Sequence, residues 1–570
     1  MARQWLLPIP RASRWVENDH ITAVHTRQTV AGILCVKADK AVNQALNAAV
    51  HAFSVRWLPL IAGASIPTEK LNELARKLWH NARSKILLIL QQKRSYRSIL
   101  ALYIFGMTPL PPGLEEHELA YGNIGEVCID IAMRQLQNVR GKKNINRFSA
   151  AAIVVEPLTA TASDDASSHT IDEGYQLRET IAYWAGFVFD TSASLTTGLP
   201  SILHASILGF QQERTIQLLK KTAQEFHDKT EDWRVNGFEV TNQRAIWIVQ
   251  SASGWKGVFW KAVASLREAL NYGHEPHVIF WAQAAALQGM QRYDMTYAPL
   301  LAACKRALLF LDFETQLNWY LLSLHYHLGQ LILYDTLDTL DRRDLFPNSD
   351  NSQLAAVQET VSIILQGIQC TVSLRNVFGP SSAALRDDTV TLLSVDPYPH
   401  HVATALSLVS DFLQKRSRGA CTSSEALERI QNLATVALDQ LPQCSASLQA
   451  SRISIMAKLE GIQQVPDGHS PGNGKEPANK SRQRQSQLES HHIGEAREEE
   501  FEAIDRFEIG TIHQTAGSVA SSGERQQMPS GLIDQWDWTF SEDTPLSFEM
   551  LEHDTFLSDH GLFEDCFFLA

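Results

Sequence analysis

The sequence predicts an all-α fold in which a large helical domain is followed by a disordered linker and an acidic, aromatic tail. Apolar residues recur three and four positions apart across residues 38–455, which is the period of amphipathic helices. The alternation of β-branched and polar residues that is typical of a half-buried strand is scarce. From residue 462 the chain becomes rich in Pro, Gly, Gln and Ser and contains few large apolar residues.

These patterns divide the 570 residues into four segments. They are a poorly structured N-terminal segment (1–37), the helical domain (38–461), the linker (462–530) and the tail (531–570). The linker composition cannot bury enough apolar surface to offset the entropy of the free chain, so we predict disorder there.

The clearest helical segment is TEKLNELARKLWHNARSKILLIL, residues 68–90. One apolar stripe runs along it at spacings of three and four residues, formed by Leu71, Leu74, Leu78, Ala82, Ile86 and Ile89. Thr68 is suited to cap its N-terminus, because a threonine hydroxyl accepts a hydrogen bond from a free N–H of the first turn. Residues 95–106 and 125–143 have similar patterns, and Gly106 is expected to end the first of these two helices.

Residues 315–334 of the helical domain carry no formal charge and are the nearest approach to a membrane span. They include two His, two Gln, an Asn and a Ser, all of which are costly to place in hydrocarbon. We therefore predict a buried helix of the domain and no membrane association.

The seven cysteines are scattered along the chain and never occur as C-x-x-C. This usage is typical of reduced thiols in a cytosolic or nuclear protein. It excludes a cysteine-based zinc module, in which paired thiolates on short loops converge on one ion.

The sequence contains no G-x-S-x-G, no H-E-x-x-H and no G-x-G-x-x-G after a predicted strand. His325 and His327 are two positions apart and therefore lie on different faces of one helix. HEPH, residues 274–277, lacks a third metal ligand, and the adjacent pair His400 and His401 defines no site. We therefore predict no catalytic residue, no cofactor-binding residue and no metal site.

Five segments of the helical domain form a recognisable series. They are ELARKLWHNARSKIL (73–87), SYRSILALYIFGMTPLPPG (95–113), GEVCIDIAMRQLQNVR (125–140), YWAGFVFDTSASLTTGLPSIL (183–203) and LNWYLLSLHYHLGQLILYDTL (317–337). In this order they resemble the middle homology region of fungal transcription factors that carry a two-zinc, six-cysteine DNA-binding cluster. The resemblance covers roughly residues 45–440 and is densest in residues 70–205.

The resemblance implies an all-α regulatory domain that restrains or tunes an activator, sometimes in response to a metabolite. The residues themselves predict packing in the fourth segment. There the aromatic side chains of Trp184, Phe187 and Phe189 are expected to pack a helix, residues 190–197 to leave it, and Gly198 to begin a turn.

The sequence departs from this family at its N-terminal end. The six-cysteine cluster normally precedes the middle homology region, but residues 1–34 contain no Cys. Three explanations remain open: an incomplete gene model, a factor that acts through a partner, or a DNA-binding surface of another kind. Zinc is expected only if a six-cysteine cluster precedes these residues. The resemblance therefore does not imply that this chain itself binds DNA.

The tail combines acidic with large apolar residues. It holds ten Asp and Glu and no Lys or Arg, which accounts for most of the formal net charge of −13. The acids keep such a segment soluble and expanded, so that its apolar side chains stay available to a groove on a coactivator. The predicted coactivator-binding residues are Trp536, Trp538, Phe540, Phe548, Leu551, Phe556, Leu557 and Phe563. The alternative is that this segment docks on the helical body.

These observations predict a nuclear transcription regulator that activates fungal metabolic or biosynthetic genes and is not an enzyme. Its expected partners are a coactivator or the transcription machinery through residues 531–570, and a second copy or a related factor. One alternative is a corepressor or other interaction protein that acts on a full-length relative. A second is a helical enzyme, but the sequence contains no D-D-x-x-D, and we expect DTLDTLDRRD (335–344) to be a solvated helix end.

Overall fold

The structure is a computed structural model, and it describes the body of the chain in several ranges. These are residues 30–62, 66–90, 95–114, 124–141, 173–203, 207–346, 349–374, 377, 389–417, 424–442 and 445–463. Within them the chain is 84% helical and 2% strand, which confirms the predicted all-α class. The predictions for residues 1–29, for the linker from residue 464 onward and for the tail lie outside the described residues.

The helices of the described ranges vary in length from short connecting turns to long core elements. In chain order they are α1 Val30–Ser54, α2 Leu58–Ala62, α3 Thr68–Ile89, α4 Tyr96–Gly106, α5 Ile124–Gly141, α6 Glu173–Thr197, α7 Arg214–Lys229, α8 Glu231–Asn236, α9 Asn242–Asn271, α10 Pro276–Thr296, α11 Ala298–Arg306, α12 Phe313–Thr339, α13 Ser349–Gln369, α14 Pro399–Ser417, α15 Ser424–Gln440 and α16 Ala446–Gln463. Short 3₁₀ helices cover Val55–Trp57, Gly209–Gln212, Leu308–Phe310, Arg343–Leu345 and Leu393–Val395. Strands β1 Thr371–Ser373 and β2 Thr389–Thr391 form one antiparallel pair in which Val372 is opposite Val390.

Several predicted helix boundaries agree with the structure and others do not. α4 ends at Gly106 as predicted, and the Ser95 hydroxyl caps its start by accepting from the N–H of Ser98. The capping role predicted for Thr68 is wrong, because Pro67 is the N-cap residue of α3 and makes no side-chain cap. The predicted domain start at residue 38 falls inside α1, which begins at Val30.

The fourth segment of the series is helical for longer than its sequence suggests. Residues 190–197 were expected to leave the helix, but α6 continues to Thr197. The turn follows at Gly198, whose φ of 73° lies in the region that glycine adopts without strain. The helix persists because the carboxylate of Asp190 and the hydroxyl of Ser194 bond to the chain after the helix.

The helices pack in a continuous series around two central ones, α9 and α12. α1 packs on α3 and α4, α4 on α5, α5 on α6, and α6 on α9. α9 in turn contacts α10 and α12, and α12 contacts α13 and α14, so that α12 is enclosed on nearly every side. This burial confirms the prediction of a buried helix at residues 315–334. None of the described helices combines the length and hydropathy that a bilayer span requires.

The C-terminal end of α12 is solvated at Asp341 and Asp344, as predicted, but not at Asp338. The side chain of Asp338 is only 8% exposed, and one of its carboxylate oxygens lies 2.6 Å from Nε of Arg343. Nζ of Lys415, from α14, lies 3.3 Å from the other oxygen. The acids of this run therefore tie α12 to the following turn and to α14.

Candidate functional site

The residues predicted to bind a coactivator cannot be located in the fold. All eight lie outside the described residues: Trp536, Trp538, Phe540, Phe548, Leu551, Phe556, Leu557 and Phe563. Their role stays a prediction. The polar chemistry of the described body is instead concentrated where α6, α9, α12 and α14 meet, and we call this region the buried polar junction. Its members are Arg56, Asp190, Lys256, Lys261, His325, Asp396, His400 and His401.

The first part of the junction fastens the chain after α6 onto α9. Oδ1 of Asp190 accepts a hydrogen bond from the N–H of Ile202 at 2.8 Å, and Oδ2 accepts from the N–H of Leu203 at 3.3 Å. The hydroxyl of Ser201 donates to Oδ2 and accepts from Lys261. Nζ of Lys261 lies 3.6 Å from Oδ2 of Asp190, and both side chains are buried, at 2% and 4% exposure.

Burial and the neighbouring Asp190 act on the pKa of Lys261 in opposite directions. Burial lowers the pKa of Lys261, and the carboxylate of Asp190 opposes that effect by favouring the ammonium form. The two groups are positioned as a buried ion pair. The carboxylate of Asp190 also accepts from the two backbone N–H groups, and Lys261 also donates to Ser201. Removing either partner leaves the other buried without its counter-charge.

The second part is a pair of imidazoles from different helices. Nε2 of His325 in α12 lies 3.0 Å from Nδ1 of His401 in α14, so one ring donates an N–H···N hydrogen bond to the other. Nε1–H of Trp260 donates to the carbonyl oxygen of His325 at 2.7 Å, and the ring of Tyr398 stacks on that of His401. Nζ of Lys256 lies 5.3 Å from the centre of the Trp260 ring.

Burial sets the protonation of this pair. Burial, together with the positive charge of Lys256 and the neighbouring His400, lowers the pKa of His401 to about 3. The pKa of His325 is also held well below its ordinary value by burial and by the neighbouring His401 and Lys256. Burial lowers the pKa of Lys256 itself to about 7. Both imidazoles are therefore neutral at pH 7, as a shared N–H···N bond between them requires.

The third part contains a buried acid. The N–H of Tyr398 donates to Oδ1 of Asp396 at 2.6 Å. Burial raises the pKa of Asp396 to about 7, against the opposing effects of the Tyr398 N–H, the Tyr320 hydroxyl and the charge of Arg56. Arg56 donates to the carbonyl oxygens of three separate segments, which links α1 to the start of α14.

We expect acid to destabilise the fold through His400. Burial and the charge of Arg56 lower the pKa of His400 to about 4, whereas histidine in an unfolded chain titrates near 6.5. Between these values the unfolded chain binds more protons, so stability is lost by about 1.4 kcal/mol for each pH unit of acidification. His400→Gln should remove about 1.6 kcal/mol of the pH dependence between pH 6.5 and 5, measured by urea unfolding against wild type.

The matched control for this measurement is His274→Gln, because His274 is exposed. That variant should keep the wild-type dependence on pH. An unchanged pH dependence in His400→Gln would contradict the assignment of acid sensitivity to the junction.

A small cavity borders the junction at Arg56. The cavity, of about 10 Å³ and lined by Arg56, Trp79 and Thr108 among others, has room for about one water molecule. No group of three or more His, Cys, Asp or Glu in the described ranges is arranged to hold a metal ion. The arrangement is suited to coupling the positions of α6, α9, α12 and α14, because Asp190, His401 and Arg56 each bond to a residue on another element.

The sequence identified several of these residues but not their association. His325 and His327 do lie on different faces, since His325 meets His401 and His327 bonds to Gln330. One sequence feature that indicates the junction is the pair Lys256 and Lys261 within the apolar helical segment SGWKGVFWKAVASL. A lysine in such a setting is seldom fully buried without a partner, and that rule points to a buried polar centre.

Searches against family models, curated proteins and solved structures found no match to this chain.

Proposed function

We propose that this protein is a nuclear regulator of transcription whose C-terminal segment activates transcription by recruiting a coactivator. The observation that carries the proposal is the composition of residues 531–570, where ten acids and no basic residue are interspersed with Trp, Phe and Leu. The series of helical motifs that resembles the middle homology region supports it further. The all-α body of the described residues is the fold which that resemblance implies.

The proposed mechanism separates two tasks. Large apolar side chains of the tail enter a groove on the coactivator, and they supply most of the lasting affinity. The acids accelerate the encounter with a basic rim and contribute little to the lifetime of the complex. The chain reaches DNA through a zinc cluster, if one precedes these residues, or through a partner.

We expect residues 531–570, fused to a heterologous DNA-binding domain, to raise reporter transcription in fungal cells. Alanine at Trp536, Trp538, Phe540 and Phe548 should reduce this activity at least about tenfold, because each removed ring forfeits on the order of 1 kcal/mol of binding. The matched control places alanine at four interspersed polar positions, Thr539, Ser541, Thr544 and Ser547. That control should retain activity.

Three results would count against the proposal. No transcription above the empty fusion, with the fusion protein present in the nucleus, would overturn the activator role. Transcription below the empty fusion would favour the corepressor alternative. Equal loss in the aromatic and polar variants would mean that the apolar side chains are not the recruiting groups.

A further inference from the structure

α10 carries a regular row of residues on the side that faces away from the core. The row, which we call the outer stripe, consists of His277, Trp281, Ala284, Gln288, Gln291 and Met295. Its spacing is four, three, four, three and four residues. This is the 3.5-residue period of a seam along which two helices pack in a coiled coil.

The opposite side of α10 is already occupied. Ala282, Ala286 and Gly289 are buried, and Nε1–H of Trp255 in α9 donates to the carbonyl oxygen of Gly289 at 2.9 Å. Phe259 of α9 fills the space that a side chain at residue 289 would need. α10 therefore uses its small residues toward α9 and presents its larger ones outward.

The outer stripe and its neighbour Phe280 expose large apolar side chains. Trp281 is 57% exposed, Met295 is 63% exposed, and Phe280 beside the stripe is 58% exposed. The rings of Phe280 and Trp281 contact each other edge to face, with centroids 5.7 Å apart. Exposed aromatic and methionine side chains of this kind are enriched in the cores of protein interfaces.

The stripe also lacks formal charge. No Asp, Glu, Lys or Arg occurs from Pro276 to Gln291, although such residues make up 20% of the chain. The charged residues at its C-terminal end have partners within the body: Arg292 donates to Gln224, and Asp294 accepts from Tyr326. Charge depletion is the compositional mark of an interface core.

We propose that the outer stripe is a two-fold interface on which α10 of a second copy of this chain packs antiparallel. In this arrangement Trp281 lies against the partner's Gln291, Ala284 against the partner's Gln288, and His277 against the partner's Met295. The spacing of the stripe is the same read in either direction, so every position meets a position of the partner's stripe. A small residue at 284 then faces a larger one.

Charge identifies the second copy as the occupant. A two-fold axis brings the same patch of both chains together, so charges within a patch are placed near their own copies. A stripe without charge avoids that repulsion. A highly charged partner would find no opposite charge on this stripe and would therefore gain no electrostatic attraction. This inference is independent of the proposed function, because it concerns the helical body alone.

The first experiment measures the mass of the full chain. We expect sedimentation velocity to show a reversible species of twice the 63.7 kDa chain mass. Trp281→Glu should raise its dissociation constant at least about 30-fold, as loss of a central tryptophan commonly does. The matched control is Phe310→Glu, because Phe310 is 88% exposed on another element and should tolerate the change. Unchanged far-ultraviolet circular dichroism would show that both variants fold.

A wild-type chain that remains monomeric at all concentrations would overturn the proposal. So would equal dissociation by Trp281→Glu and Phe310→Glu, or no dissociation by either.

The second experiment tests the antiparallel orientation by disulfide trapping of differently tagged chains, with wild type as the background. A mixture of Ala284→Cys and Gln288→Cys chains should form more mixed disulfide than either variant forms with itself. Greater self-linkage of Gln288→Cys alone would indicate a parallel pair and would overturn the arrangement.

Discussion

Replacing Asp190 by Ala is expected to lower the free energy of unfolding by about 3–5 kcal/mol. The carboxylate is buried in the junction, 3.6 Å from the ammonium group of Lys261, which is also buried. Its loss leaves that positive charge without a partner. It also leaves the N–H groups of Ile202 and Leu203 without their acceptor, so the chain after α6 loses its attachment to the helix.

The control for Asp190→Ala is Glu73→Ala. Glu73 forms an ion pair with Lys77 within α3, but both side chains are largely exposed. Water solvates Lys77 when Glu73 is removed, so the free energy of unfolding should change little. Chemical denaturation followed by tryptophan fluorescence should show a large shift of the midpoint for the first variant and none for the second. Shifts of equal size would contradict the argument that burial determines the effect.

A double variant separates the ion pair from the backbone bonds. Lys261→Met in the Asp190→Ala background removes the unpaired charge, and we expect it to restore part of the lost stability. The part that is not restored measures the bonds from Asp190 to the two N–H groups. If Lys261→Met made the single variant worse, the buried lysine charge would not be the source of the loss.

The sequence was sufficient for features that depend on neighbours along the chain. α4 could be bounded because Ser95 and Gly106 signal the ends of a helix through local backbone chemistry. The burial of α12 could be predicted because residues 315–334 carry no formal charge but include polar side chains that are costly in hydrocarbon. The domain boundary predicted at residue 38 lies inside α1, which begins eight residues earlier at Val30.

The junction could not be predicted in the same way, because its contacts join residues far apart in the sequence. His325 and His401 are 76 positions apart, and Arg56 and Pro397 are 341 apart. Nothing in the spacing of the residues near His325 indicates which helix will face it. The continuation of α6 past Asp190 has the same origin, since the acid bonds to residues 12 and 13 positions later.

The second large effect is expected for Arg56→Met, which should lower the free energy of unfolding by about 3–5 kcal/mol. Arg56 is 3% exposed. Nε donates to the carbonyl oxygen of Phe53 at 2.8 Å, Nη1 to that of Pro397 at 3.1 Å, and Nη2 to that of Met107 at 3.2 Å. Methionine fills a similar volume without donors, so these acceptors lose their partner.

Arg76→Met is the matched control, because Arg76 also donates to a backbone carbonyl, that of Gly113 at 2.9 Å, but at an exposed position. Water can replace this bond, so the expected change is within about 0.5 kcal/mol. Arg56→Lys keeps the charge but not the planar fork of donors, and it should fall between wild type and Arg56→Met. Urea unfolding of the full chain measures all three.

A pH dependence distinguishes loss of this guanidinium from simple loss of packing. The charge of Arg56 lowers the pKa of Asp396, which burial has raised to about 7, so Arg56→Met should raise that pKa further. A folded-state pKa above the unfolded value near 3.9 means that stability is lost as pH rises through the interval between them. The destabilisation by Arg56→Met should therefore be larger at pH 8 than at pH 6. An equal loss at both values would show that Arg56 acts on the fold through its hydrogen bonds and volume alone, without holding Asp396 in its charged form.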